Sequence, residues 1–286
     1  MIKLIASDMD GTLLNAQMEI PAENVAAIKY AQMKGVEFLV ATGRARKESQ
    51  QILENVGLHT GYINLNGAMV FDTNGKLMVN EPIDRKRAFK IIEILKESGC
   101  YFEIVSADEV YSDSRMRRIA NVSGLLTDLN KHLTFKKAVS FAGGSDEVLK
   151  ISFVKNFKSL FEDENFQVMK FVAFNPAGPA AFRKIRRQVN KLGRLVATAS
   201  SSNNLEINNV KAQKGIALLD YAKMRGIDSN EIMAIGDNLN DESMIKMAGV
   251  GVAMENAVSQ IKNLASFITK NNNDAGVAYA INHFIK

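Results

Sequence analysis

The first dozen residues constrain the chain more than any later stretch. Residues 2–6 are apolar except for Lys3, and they run directly into Ser7-Asp8-Met9-Asp10-Gly11-Thr12. A short run of this kind reads as a strand buried on both faces, as in a parallel sheet. Ligands of open α/β sheets bind outside the carboxyl ends of the strands, so a strand that delivers two carboxylates there marks a candidate site. Gly11 lets the chain turn sharply away. Alternation places Asp8 and Asp10 on one side of an extended backbone. Two close carboxylates then need a metal ion, a shared proton or a cation to offset their repulsion. For the hexapeptide by itself, a polar turn after a strand is the plainer alternative.

The same pattern returns twice. Residues 36–41 form a second apolar run that ends in Thr42-Gly43-Arg44, and residues 231–235 form another that ends in Gly236-Asp237-Asn238-Leu239-Asn240-Asp241. Between the first two runs, residues 21–34 have helical spacing, with Pro21 in the first turn and Gly35 at the end. Strand, helix and strand make a βαβ unit, which implies parallel pairing and a right-handed crossover. Residues 62–65 reach Asn66-Gly67, a hairpin signal, and pair with 68–71. Near the C-terminus a helix over 214–225 is followed by further alternation: a helix to 248, a strand over 250–254, a helix over 257–265, a strand over 267–269 and a helix capped by Asp274. The fold class expected is α/β, a doubly wound, Rossmann-like parallel-sheet core. From Asp84, an N-cap for a helix to Ser98, the character changes. Strands at 101–105, 168–174, 195–198 and 205–207 end in neither carboxylate nor Thr-Gly signals, and residues 131–164 resist division. This stretch reads as an α+β cap domain, residues 84–197, inserted into a core of residues 1–83 and 198–286.

A chain of 286 residues suits about two such domains. Its 47% apolar and 23% charged content argues against a long disordered part. No apolar run reaches the roughly 18 residues of a membrane span. Asp8 and Asp10 interrupt any secretory hydrophobic region. Cys100 is the single cysteine, which excludes a disulfide framework and a Cys-based zinc site. A cytoplasmic location is expected. The net charge of +5 is modest. The basic clusters Arg115, Arg117 and Arg118, and Arg183, Lys184, Arg186 and Arg187, read as solvated helix faces, because no nucleic-acid module accompanies them. Neither nucleic acid nor membrane is an expected partner, and the chain is expected to be a monomer or small homo-oligomer. His59, His132 and His283 are isolated and lack metal-ligand spacing.

Strand polarity in a parallel sheet brings Asp8 and Asp10, Thr42, and Asp237 and Asp241 to one edge, with Lys214 opening a helix nearby. Carboxylates without Cys or His neighbours suit a hard cation, and Mg2+ is the usual choice. A hydroxyl, loop N–H groups, a lysine and magnesium together make a phosphate site.

Asp8-Met9-Asp10-Gly11-Thr12, Thr42-Gly43-Arg44, Lys214 with Gly215, and Gly236-Asp237-Asn238-Leu239-Asn240-Asp241 resemble, in order and spacing, the four motifs of the haloacid-dehalogenase-like phosphatases. The large insert resembles that of the Cof-type subgroup, which carries a type IIB cap. The resemblance implies a role for each residue. Asp8 would be the nucleophile that forms an aspartyl-phosphate. Asp10 would protonate the leaving oxygen and then activate water. Mg2+ would be held by the side chains of Asp8 and Asp237 and the backbone carbonyl of Asp10, with Asp241 orienting them from behind. Thr42 and the amides of Gly43 and Met9 would bind phosphoryl oxygens, Lys214 would add positive charge, and Asn240 would bond the phosphate or its loop. The implied substrate is a small phosphorylated metabolite, a sugar phosphate, with the cap closing over it. Two alternatives are a sugar-phosphate mutase and a non-catalytic phosphometabolite-binding regulator. The regulator expects loss of Asp8 or Asp10, and both are present. Arg44 is divided between capping its helix region and assisting phosphate, and Lys211 reads as a surface residue.

Overall fold

The computed structural model describes residues 1–130, 132–175, 177–198 and 203–286. It divides into two compact units: Met1–Glu81 with Lys211–Lys286, and Pro82–Val210. The strands, in chain order, are β1 Leu4–Ser7, β2 Glu37–Ala41, β3 Gly61–Asn64, β4 Met69–Phe71 and β5 Leu77–Asn80, then β6 Tyr101–Val105, β7 Val110–Ser112, β8 Ser152–Phe153, β9 Lys170–Phe174, β10 Leu195–Thr198 and β11 Asn204–Asn209. The chain then completes the first unit with β12 Ile232–Gly236, β13 Val250–Ala253 and β14 Phe267–Ile268.

In the first unit the strand order is β14-β13-β12-β1-β2-β3-β4-β5. Pairing is parallel from β14 to β3, and the β3-β4-β5 end is antiparallel. Ala6 lies between Leu39 on β2 and Ala234 on β12. All three strands are buried along almost their whole length, which is why they read as unbroken apolar runs. The chain leaves β1 towards β2 and β3, then returns on the other side as β12. The gap between β1 and β12 is therefore the topological switch point, where open α/β sheets bind ligands.

Helix ends follow local chemistry. The first helix, Ala22–Met33, starts one residue after Pro21, so Pro21 precedes the first turn and does not lie in it. The last helix, Gly276–Phe284, is not capped by Asp274. Asn271 instead closes a tight turn: its side chain accepts from the Asn273 amide, and its carbonyl accepts from Asp274 and Gly276. Ala275 then enters the helix at a left-handed φ of 50°.

The second unit carries a sheet of order β10-β11-β9-β6-β7-β8. Alternation on its central strands puts Phe102, Ile104, Phe171, Ala173, Leu205 and Ile207 into one core with Ile91, Leu95, Phe182 and Ile185, from the helices Arg85–Glu97 and Pro179–Lys191. Each such side chain contributes about 1.5–3 kcal/mol on burial. Asp84 caps the first of these helices by accepting from the Arg87 amide at 3.1 Å, a bond of the kind worth about 1 kcal/mol. The other sheet face is polar. Tyr101 Oη donates to Glu103 Oε1 at 2.6 Å, Arg118 pairs with the same oxygen at 2.8 Å, and Lys170 faces Glu206 at 3.6 Å. The stretch 131–164 holds the helices Phe135–Gly143 and Asp146–Leu149 and the edge strand β8. Ala142 and Val148 of this stretch form a small core with Val122 of the helix Arg115–Leu129.

The unit boundaries differ from those expected. β11 pairs antiparallel with both β10 and β9, Ile207 lying between Ala197 and Phe171, so residues 198–210 belong to the inserted unit. Ile83 bridges to Val168, which brings the opposite junction back to Pro82. The insert is therefore Pro82–Val210, not 84–197. Among the described residues no helix is long and apolar enough to cross a membrane.

Candidate active site

The end of β1 builds the first wall of the site. The Asp8 amide donates to Ile235 on β12 at 2.9 Å, and its side chain is almost fully buried. The chain then makes one wide turn, closed by Leu14 N–H donating to the Met9 carbonyl at 2.9 Å. Within it Asp10 is extended and Gly11 sits at a φ of +82°. A Cβ on Gly11 would lie 2.7 Å from Asp237 Oδ2, so glycine is required both for the backbone angle and for the close approach. Thr12 Oγ1 donates to Asp237 Oδ1 at 2.8 Å, and Asn256 Nδ2 donates to the Gly11 carbonyl at 2.7 Å.

The end of β12 builds the second wall. Asp241 Oδ2 accepts from the amides of Asp237 and Asn238, at 3.0 and 3.1 Å. A Cβ on Gly236 would lie 2.6 Å from Asp241, so the loop folds tightly back on its own strand. Asn240 is half-buried in this turn. Lys214 opens the helix Lys214–Met224 and is fully buried. Gly215 N–H donates to Ser243 Oγ at 3.0 Å, and any side chain at Gly215 would collide with the Ser243 backbone. That close packing delivers Lys214 Nζ to Asp8 Oδ1 at 2.5 Å and Asp241 Oδ1 at 2.7 Å.

The end of β2 adds Thr42, which is 1% exposed, and Gly43. Thr42 Oγ1 accepts from the Arg44 amide at 3.1 Å, and its carbonyl accepts from Asn66. Arg44 neither caps a helix nor faces empty space. Its guanidinium grips Asp10 at two points, Nε to Oδ2 at 2.9 Å and Nη2 to Oδ1 at 2.6 Å. The two carboxylates of the opening motif therefore have separate cations, Lys214 for Asp8 and Arg44 for Asp10. Asp8 is buried, while Asp10 is about half exposed. Lys211 is exposed and pairs with Glu81 at 3.1 Å. His283 stacks on Phe267 and His59 lies at the surface.

Electrostatics single out the buried cluster. Asp8, Asp237 and Asp241 each bring an oxygen within 4.8 Å of the others. Burial raises Asp8 well above the ordinary carboxylate range, and the charge on Asp241 adds to this, while Lys214 opposes it. Asp237 is pushed up to about 6, first by burial and then by Asp241. Burial disfavours the charge on Lys214, but Asp241 and Asp8 outweigh it and raise its proton affinity. When ionised, three carboxylates against one ammonium leave an excess of two negative charges. A divalent cation with a preference for oxygen fits both that charge and the donor set. Both oxygens of Asp241 are already engaged, so Asp8 and Asp237 are the carboxylates suited to hold it.

Three contacts here went unforeseen. The Arg44 grip on Asp10 joins two motifs that had been weighed separately. Thr12 lay inside the opening motif but had no assigned partner. Asn256 follows the carboxyl end of β13, and the criterion that picked out Thr42 and Asp237, a polar residue just past a buried strand, would have found it.

The profile of the haloacid dehalogenase-like hydrolases matches residues 5–281. Phosphatase YwpJ of Bacillus subtilis is 33% identical over 289 residues, covering 99% of this chain and 100% of that protein. Two other proteins of that organism, YwtE and YcsE, are each named 5-amino-6-(5-phospho-D-ribitylamino)uracil phosphatase. They are 30% and 32% identical over 99% of this chain, covering 98% and 96% of their own lengths. A solved haloacid dehalogenase-like hydrolase from B. subtilis matches with a TM-score of 0.84 at 33% identity, covering 99% of this chain and 100% of that one. The chain belongs to the haloacid dehalogenase-like hydrolase family, as a Cof-type member, and it is a phosphatase.

Proposed function

We propose that the enzyme hydrolyses the phosphate ester of a small sugar or sugar-alcohol metabolite, with Mg2+, through an aspartyl-phosphate on Asp8. The observation that carries this reading is the setting of Asp8: a buried carboxylate at the switch point, one oxygen on Lys214, inside a cluster that has two negative charges in excess when its carboxylates are ionised. The sugar-alcohol class also draws on the names of the two relatives that act on a phosphorylated ribityl compound.

In the first step an Asp8 oxygen attacks phosphorus and the ester P–O bond breaks. Asp10 gives its proton to the departing oxygen. Thr42 Oγ1, the amides of Met9 and Gly43, and Lys214 bind the phosphoryl oxygens, and Asn240 braces the loop around them. Asp8, Asp237 and the Asp10 carbonyl would hold magnesium, which would supply the charge that lets one anion approach another. In the second step Asp10 takes a proton from water as the water attacks phosphorus. The acyl-phosphate bond breaks, Asp8 is regenerated and inorganic phosphate leaves. Arg44 holds Asp10 in position for both transfers. Asp241 keeps Lys214 and the Asp237 loop in place. The inserted unit sets which ester is accepted.

The test is phosphate release from sugar phosphates, flavin mononucleotide, pyridoxal phosphate and p-nitrophenyl phosphate, with magnesium and with chelator, on the native chain and Asp8→Asn. Magnesium-dependent release that vanishes in Asp8→Asn is the expected result. Release that survives Asp8→Asn would remove Asp8 from the mechanism.

A further inference from the structure

The two walls of the active site come from distant parts of the chain, and the loop after β13 ties them together. Its backbone is fastened to the β12 wall. The Met254 amide donates to the Gly236 carbonyl and the Val258 amide to the Asp237 carbonyl, each at 3.0 Å. Between these two points the loop makes a tight turn, closed by Ala257 N–H donating to the Met254 carbonyl at 3.0 Å. From that turn Asn256 reaches across to the β1 wall, where its Nδ2 donates to the Gly11 carbonyl at 2.7 Å. This carbonyl lies one peptide unit beyond that of Asp10. It is also where the walls come close, since a Cβ on Gly11 would lie 2.7 Å from Asp237 Oδ2.

A second asparagine fixes the reach. The Asn272 amide donates to Asn256 Oδ1 at 3.0 Å, so both ends of the Asn256 side-chain amide are engaged and its orientation is set. Asn272 is buried, and its own Nδ2 donates to the Leu14 carbonyl at 2.9 Å. Leu14 is the residue whose amide closes the wide turn on Met9. The pair therefore grips that turn at its middle and at its end. Both asparagines are uncharged, and the bonds they make across the gap go to backbone carbonyls. Thr12 also crosses the gap, but it bonds Asp237 itself.

The groups suited to magnesium are divided between these walls, Asp8 and the Asp10 carbonyl on one and Asp237 on the other. A cation that bridges two walls binds best when their separation is already correct, because no binding energy is then spent on arranging them. Magnesium is the exacting case. It takes oxygens at about 2.0–2.1 Å in near-octahedral order, whereas calcium accepts about 2.3–2.6 Å in looser arrangements.

We propose that Asn256, held by Asn272, is a positioning residue that sets the gap between the walls for magnesium in preference to a larger cation. The inference deepens the metal reading above and rests on its ligand set.

The experiment measures magnesium and calcium binding to the full chain by calorimetry, on the native chain, Asn256→Ala, Asn272→Ala, the double variant and Asp237→Asn. Asn256 is exposed, so Asn256→Ala should melt in chelator close to the native temperature. Its magnesium dissociation constant should rise about tenfold, the scale of one lost hydrogen bond. Its calcium constant should rise by less than about threefold, because a looser gap suits the larger ion. The magnesium needed for half-maximal phosphate release should rise by the same factor as the dissociation constant. The effects of Asn256→Ala and Asn272→Ala on magnesium affinity should be less than additive, since both break one tie. An unchanged magnesium constant in Asn256→Ala, or equal factors for the two cations, overturns the proposal while leaving the ligand set standing. Full additivity in the double variant removes Asn272 from it. A native chain that binds neither cation, or that binds magnesium as well after Asp237→Asn, overturns the ligand set itself, and this inference falls with it.

Discussion

Each unit of the molecule buries a charge cluster against its sheet, and the two clusters count differently. In the inserted unit Glu103 meets Arg118, and Lys170 meets Glu206. Each carboxylate has its own cation, so the set is neutral. Burial still raises Glu103 above the usual carboxylate range, with Arg118 and the Tyr101 hydroxyl pulling it back. In the first unit three carboxylates share Lys214. Both clusters carry the desolvation cost of buried charge, and only the first-unit set lacks enough countercharge. A balanced buried cluster is a structural element. An unbalanced one at a sheet's switch point is an arrangement completed by something that binds.

That contrast can be broken experimentally. The largest expected effect is on turnover. Asp8→Asn should reduce phosphate release by about a thousandfold or more, while Glu103→Gln should leave it within about tenfold. Comparable losses in both would end the distinction. Next is Lys214→Met, which leaves three clustered carboxylates, those of Asp8 and Asp241 buried, without a cation. It should destabilise the chain by about 3–5 kcal/mol in urea unfolding, and magnesium should restore part of the loss.

The third prediction is magnesium's own effect. At a concentration about a hundredfold above its dissociation constant it should stabilise the native chain by about 2.7 kcal/mol, with the gain abolished in Asp237→Asn and retained in Glu103→Gln. This gain should depend on pH. Asp237 is pushed up to about 6 from an ordinary 3.8. Between these values the folded chain holds a proton that the unfolded chain has released. The metal-free stability contribution of Asp237 therefore falls as pH rises from about 4 to 6, and the cost is fully present above that. Magnesium displaces the same proton, so its stabilisation should be larger at pH 7.5 than at pH 5, measured by melting with magnesium and with chelator. Equal gains at both pH values would contradict this linkage. The smallest effect is expected at Arg44, which holds Asp10 outside the buried cluster. Arg44→Gln should lower kcat by about tenfold with KM little changed, the signature of a misplaced proton-transfer group.

What could be read from residues alone follows from how each element is buried. β1, β2 and β12 are covered on both faces, so each appears as a continuous apolar run, and the polar residues just beyond them stand out. The Gly236–Asp241 loop was legible because its spacing is local. A strand at Leu205–Ile207 was legible too, but the unit it belongs to was not, since Asn204–Asn209 is mostly polar and its place is set by pairing with β9 and β10, tens of residues away or across a turn. The boundary at residue 198 failed for that reason. The Arg44–Asp10 pair was missed because it spans 34 positions and neither residue type specifies its partner. Asp274 looked like a cap, but Asn271 closes its turn three residues earlier.

The position of β1 has a consequence for how the chain is made. It is an inner strand, flanked by β2 on one side and β12 on the other, and β12 begins 225 residues after β1 ends. At roughly 5–20 residues per second of synthesis, one edge of β1 waits on the order of ten seconds or longer for its neighbour. During that interval its backbone donors and acceptors form an open edge of the kind that recruits other chains. The strand that later presents Asp8 is thus, in the nascent protein, the one most in need of protection.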